Sequence, residues 1–152
     1  MKKMTLCYMQ KDNQILMLHR TKKEIDINKS KWIGVGGKIE KNEKPIDGMI
    51  REIKEETGYT AISCDFRGFI HFFYNDHSEE LIYLYTCNNF HGILQECLEG
   101  ELHWIDKDNI FTLNLWEGDK IFLNLLAEDS KIFDLYLYYH NDDLLKYELK
   151  FL

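Results

Sequence analysis

The sequence predicts an α/β fold, a mixed β-sheet with helices on its faces. Three observations predict it. Apolar runs with period-two alternation recur from the N-terminus to the C-terminus and are separated by turn residues. A stripe of apolar residues at helical spacing lies between Pro45 and Gly58. A second helical stripe follows Trp116, after long strand-like segments.

Residues 4–9 and 14–19 read as two strands, joined at Lys11-Asp12-Asn13 by a hairpin signal. Residues 20–31 form a polar, mostly basic loop, and residues 32–37 a short strand running into a glycine turn. Three glycines there (Gly34, Gly36, Gly37) let the backbone approach a ligand or the next helix closely. The helix from Pro45 to Thr57 has proline at its first position and Gly58 as a left-handed stop. Ile46, Met49, Ile50 and Ile53 form its apolar stripe. Lys44 is a poor N-cap, and Gly48 is read as close packing against the sheet or as a local weak point. Residues 60–73 and 80–89 read as long strands around Asn75-Asp76-His77-Ser78, and 101–106 as another. A helix over 117–128 turns Ile121, Phe122, Leu125 and Leu126 inward, and a hairpin of 132–139 with 144–151 turns at Asn141-Asp142-Asp143.

At 152 residues the chain is read as one domain, with no repeat, linker or low-complexity tract. No signal-peptide core and no apolar run of bilayer length is present, so the expectation is a cytoplasmic protein away from membranes. Cys7, Cys64, Cys87 and Cys97 are scattered without metal-type spacing and are expected as reduced thiols. A formal charge of −7 argues against a nucleic-acid polymer as partner, since that binding relies on a basic face. It does not argue against a small phosphorylated substrate, because bound cations invert the local sign. A monomer or a homodimer is expected.

The chemistry concentrates between Gly37 and Tyr59. Glu52, Glu55 and Glu56 fall at i, i+3, i+4, so on a helix they crowd roughly a 100° arc of one face. Like charges at that spacing repel, and such a cluster suits hard divalent cations, which prefer oxygen ligands. The glycine stretch lacks the lysine–hydroxyl pair of a P-loop and the spacing of a dinucleotide fingerprint. The six histidines show no metal or nucleophile pairing; His71 and His103 are read as core or rim residues. Phe133, Tyr136, Tyr138 and Tyr139 are read as sheet packing.

Gly37, Glu43, Arg51, Glu52, Glu55, Glu56 and Gly58 together resemble the signature of the Nudix hydrolases, with Tyr59 at a final position that is usually aliphatic. The resemblance implies an α/β/α sandwich and hydrolysis of a nucleoside diphosphate linked to another group. It implies Mg2+, or Mn2+ in its place, held by Glu52, Glu55 and Glu56, by the carbonyl of Gly37 and by a further carboxylate. Glu99, in a loop, is favoured for that extra ligand or general base, and Glu101 at a strand start is the alternative. Glu52, Glu56 and Glu99 are thus the catalytic candidates. Glu43 and Arg51 are read as a supporting pair that orients the helix.

Leu16-Met-Leu-His-Arg20, Lys31-Trp-Ile-Gly-Val-Gly-Gly-Lys38 and Trp116-Glu-Gly-Asp119 extend the similarity to bacterial MutT-like 8-oxo-dGTP diphosphatases. This implies release of pyrophosphate from an oxidised purine nucleoside triphosphate. Arg20 would contact phosphates or be an ordinary strand-end arginine. Lys38 would lie near the phosphates or at the surface. Trp116 would stack on the purine or be a buried aromatic at a helix start, and Asp119 would bond the base edge. Two departures bear on base selection: Ile33 and Gly118 stand where animal members of the family carry asparagine and the first of two aspartates.

Overall fold

The computed structural model describes residues 1–152. Its elements are β1 (Lys2–Lys11), β2 (Gln14–Arg20), β3 (Trp32–Ile33), β4 (Val35–Lys38), α1 (Pro45–Thr57), β5 (Thr60–Tyr74) and β6 (Glu80–His91). They continue with β7 (Gly100–Asp106), a 3-10 turn (Lys107–Thr112), α2 (Glu117–Ala127), β8 (Phe133–His140) and β9 (Asp143–Phe151). The strands run β3-β2-β1-β6-β5-β8-β9, with β4 also paired to β1 and β7 to β2. The pairs β1/β6 and β5/β8 are parallel and the rest antiparallel, so the sheet is mixed.

Side-chain alternation along the central strands builds two cores. Tyr8, Ile15 and Met17 point into the larger, under α2, with Phe122, Leu123, Leu126, Phe133, Leu135 and Leu137. Their neighbours Cys7, Met9 and Leu16 point to the opposite face and meet Met49 and Ile53 of α1. Because successive strand residues face opposite ways, β1 is buried on both sides. The α/β class and the helix-flanked mixed sheet therefore stand. No helix is long and apolar enough to cross a membrane, and all four cysteines are unpaired.

Three local readings change. The strand expected over 32–37 is split at Gly34: β3 pairs with β2, whereas β4 pairs with β1. A Cβ at Gly34 would lie 2.6 Å from the Cys7 carbonyl, so only glycine lets the chain cross between partners there. Gly48 packs against the Glu43 carboxylate rather than the sheet, where an added Cβ would lie 2.9 Å from Oε1. The 3-10 turn was not expected, because its one buried apolar residue, Ile110, carries no periodic pattern.

Candidate active site

Helix α1 positions the acidic groups through its own packing. Met49, Ile53 and Glu56 lie at i, i+4, i+7, so Glu56 is the last rung of the stripe that docks on the sheet. Only 9% of it is exposed, and its Oε2 is buried without a hydrogen-bond partner. Burial pushes its carboxyl well above the usual range, and the charges of Glu99 and then Glu52 push in the same direction. Glu52 is half-buried and is also raised, chiefly by burial, with Arg51 opposing. Glu55 faces solvent.

The helix ends as its sequence dictates: Pro45 at the start, no side-chain cap from Lys44, and Gly58 at φ 83°. Gly37 is required by close approach, because a Cβ there would lie 2.5 Å from the Glu52 carboxyl carbon. Its carbonyl accepts a hydrogen bond from the Thr5 hydroxyl at 3.2 Å. Gly37→Ala should therefore displace Glu52 and lower turnover at least tenfold with little change in KM; wild-type kcat in steady-state assays would refute the contact's role.

Arg51 ties this face together. Its Nε and Nη2 donate to the two oxygens of Glu43 at 2.8 and 2.9 Å, a fork-on-fork geometry. The hydrogen bonds from Arg51, and one from the Glu40 amide, hold the Glu43 carboxyl down at about 2. Nη1 reaches Glu52 at 2.9 Å and Glu55 at 3.3 Å, and Nη2 the Lys38 carbonyl at 3.0 Å. This explains a departure from the convergence expected of the three glutamates: no three acidic, histidine or cysteine groups form a ready-made metal cluster. The guanidinium draws Glu52 and Glu55 to itself while Glu56 stays buried behind them. The donor set still fits a hard cation, since an unpartnered buried carboxylate oxygen beside two further carboxylates lacks only a positive charge.

A cleft of about 750 Å3, counted to its open mouth, runs from this acidic end to an aromatic one. Arg20, Gly37, Glu56, Trp116 and Asp119 all line it. Arg20 closes β2 and donates from Nε to Asp26 and from Nη1 to Glu99, both at 2.9 Å. Glu99 also meets Lys23 at 3.2 Å. Glu101 instead lies exposed on β7, 3.6 Å from His103. Lys38 is exposed at the end of β4 and is absent from the cleft wall, which is the surface placement among its two readings.

At the aromatic end Trp116 precedes α2 and is 4% exposed, edge-on to Phe72, Tyr74 and Tyr139. The Lys31 ammonium lies 5.1 Å from its centroid. The ring is thus a buried aromatic at a helix start, one of its two readings, and it also forms part of the cleft wall. Its Nε1 donates to Asn28 Oδ1 at 2.7 Å. Asp119 lies on the first turn of α2, where burial pushes its carboxyl up to about 8 against the opposing charge of Lys31. Gly118 has no room for a side chain, because Leu137 and the Tyr139 hydroxyl would lie 2.6 Å from a Cβ. Its N–H donates to that hydroxyl at 2.7 Å.

Sequence reading missed Asp26 and Asn28, which sit in a polar loop without periodicity, and Thr5, Phe72 and Ile82, which look like any strand residues. Of the histidines, His71 bridges Glu79 and Asp134 away from the cleft and His103 is exposed.

The sequence profile of the NUDIX domain matches residues 3–126. An uncharacterised Nudix hydrolase, YvcI of Bacillus subtilis, is 28% identical over 98% of this chain and 94% of its own. The oxidized purine nucleoside triphosphate hydrolase of Mus musculus is 28% identical over 79% of this chain and 78% of its own. The crystal structure of a MutT protein from Bacillus halodurans superposes with a TM-score of 0.88 at 24% identity, covering 99% of this chain and 98% of that one.

Proposed function

This chain belongs to the Nudix family and is a Nudix hydrolase, and from that premise we propose that it is a Mg2+-dependent diphosphatase of 8-oxo-dGTP or a related purine nucleoside triphosphate. The products would be the monophosphate and pyrophosphate, which would clear oxidised nucleotides from the cytoplasmic pool and so limit mutation. The observation that carries the reading is one cleft joining the buried Glu56 of α1, with Gly37 and Arg20, at one end to an aromatic pocket with a buried aspartate at the other. A nucleoside triphosphate needs both ends at once. The mouse relative's activity is consistent with it.

In this mechanism Glu52, Glu55, Glu56, Glu99 and the Gly37 carbonyl would hold Mg2+, or Mn2+ in its place. The cation would supply charge neutralisation to the polyphosphate and acidify an attacking water. Arg20 binds a phosphate by exchanging one of its carboxylate partners for it. Glu99, freed from Arg20 by that exchange, becomes available as the further ligand or, in its place, as the base that takes the proton of the attacking water. Arg51, anchored by the Glu43 fork, orients Glu52 on the helix face. Phe72, Trp116 and Ile82 exclude water around the base, and Asp119 bonds its edge. The chain's remaining expectations, a single domain and a monomer or homodimer, belong to the same proposal.

The test is a substrate panel with Mg2+. The expected result is the highest kcat/KM for 8-oxo-dGTP, over dGTP and ADP-ribose, with pyrophosphate released. AMP and ribose phosphate as the main products would transfer the assignment to ADP-ribose, and no hydrolysis would leave a nucleotide-binding protein without catalysis. Millimolar Mg2+ should also raise the melting temperature, because it binds the folded state and relieves carboxylate repulsion. A tenfold excess over Kd is worth about 1.4 kcal/mol, a shift of roughly 3–6 °C for a chain of this size. An unchanged melting temperature would reject the site.

A further inference from the structure

We infer that the side-chain amide of Asn28 reads the nucleobase, donating from Nδ2 to a carbonyl acceptor on its edge and selecting 6-oxopurines over bases lacking that oxygen. The inference rests on the proposed purine nucleotide substrate and adds a specificity residue to it.

Asn28 lies in the loop between β2 and β3, outside helix and strand, yet both of its own backbone groups are committed. Its N–H donates to Asp26 Oδ1 at 3.0 Å, and its carbonyl accepts from the Lys31 N–H at 2.8 Å. Asp26 is in turn held by Arg20 at 2.9 Å. The side-chain oxygen accepts from Trp116 Nε1 at 2.7 Å. An indole N–H can only donate, so this bond settles which end of the amide is oxygen and turns the NH2 group away from Trp116. That NH2 has no partner in the protein, and Asn28 lines the cleft beside Ile33, Trp116 and Asp119.

The neighbours leave little else to do this work. Ile33 cannot donate or accept through its side chain. Phe72, Ile82 and Leu6 are apolar walls, and Glu80 is engaged by Lys2 at 3.6 Å. Asn28 and Asp119 are then the uncommitted polar side chains at the base end. With its carboxyl held up near 8, Asp119 adds one O–H donor at neutral pH. A donor-rich end leaves its N–H groups unpaired against a base that offers no carbonyl, and unpaired buried donors are what make polar readout selective.

A bolt for Trp116 needs only the Asn28 oxygen, and Asn28→Asp preserves it while replacing two donors by an acceptor. The experiment measures kcat/KM with Mg2+ for 2′-deoxyinosine triphosphate and for its analogue with hydrogen in place of the 6-oxygen. Wild type should prefer the 6-oxo compound at least tenfold, and Asn28→Asp should shrink that ratio at least tenfold while the Trp116 indole N–H stays protected from hydrogen exchange. A ratio unchanged in the variant overturns the inference while the nucleotide reading survives. Wild-type inactivity on both compounds and on 8-oxo-dGTP overturns the nucleotide reading and this inference with it, whereas activity on 8-oxo-dGTP alone overturns only the inference. Should the variant not fold, the wild-type protein decides: the Asn28 side-chain amide NMR signals should shift with 2′-deoxyinosine monophosphate and not with the analogue lacking the oxygen. Equal shifts overturn the inference.

Discussion

Glu56→Gln is expected to lower kcat about a thousandfold with the fold intact. That loss corresponds to about 4 kcal/mol of transition-state stabilisation, the scale for removing one charged group from a polyphosphate site. The reason is its position: among the acidic groups of α1, Glu56 alone has a buried, unpartnered oxygen. Glutamine keeps the shape and hydrogen-bonding reach but not the charge that would hold the cation. Stability should be unchanged or higher, since a buried carboxylate raised by desolvation and by Glu99 and Glu52 costs the fold when it ionises. The Mg2+-dependent gain in melting temperature should disappear in the same variant. Glu55→Gln should cost less, because Glu55 is exposed and held by Arg51. Near-normal turnover of Glu56→Gln would remove that residue from the site.

Without divalent metal, stability should fall as pH rises from about 4 to about 8, and Asp119→Asn should flatten much of the fall. Burial raises the Asp119 carboxyl from 3.8 to about 8. A group that binds its proton more tightly when folded stabilises fully below its unfolded value, and loses that contribution as pH rises through its folded value. At about 1.4 kcal/mol per unit, the whole swing is on the order of 5 kcal/mol, with the opposing charge of Lys31 already included. In melting temperature that is roughly 10–20 °C for a chain of this size. Other groups titrate in the same window, so the quantity to read is the difference between wild type and Asp119→Asn across pH 5–9. Parallel curves would show that Asp119 is ionised in the folded protein and does not serve as a donor to the base.

What could be read without coordinates was local. The caps of α1, its apolar stripe and its acidic register all follow from residues within a few turns of one another, and a helical period converts spacing into position. Strand alternation in residues 4–9 and 14–19 likewise announced a hairpin. Asn28 could not be read in this way: a polar loop carries no period, and its meaning lies in an indole 88 positions away. Gly48 answers to Glu43, a side chain in the preceding loop, rather than to the sheet.

The amino-acid order alone determined the fold class, the acidic helix α1 with its start and stop, and the family, because each rests on short-range periodicity or on identities at fixed spacing. Tertiary structure decided which carboxylate of α1 is buried, that Arg51 gathers Glu52 and Glu55, and that Trp116 is a wall braced by Asn28. Those outcomes depend on desolvation and on contacts between segments far apart in the chain. Burial is a property of the assembled sheet and helices, and no window of sequence contains it.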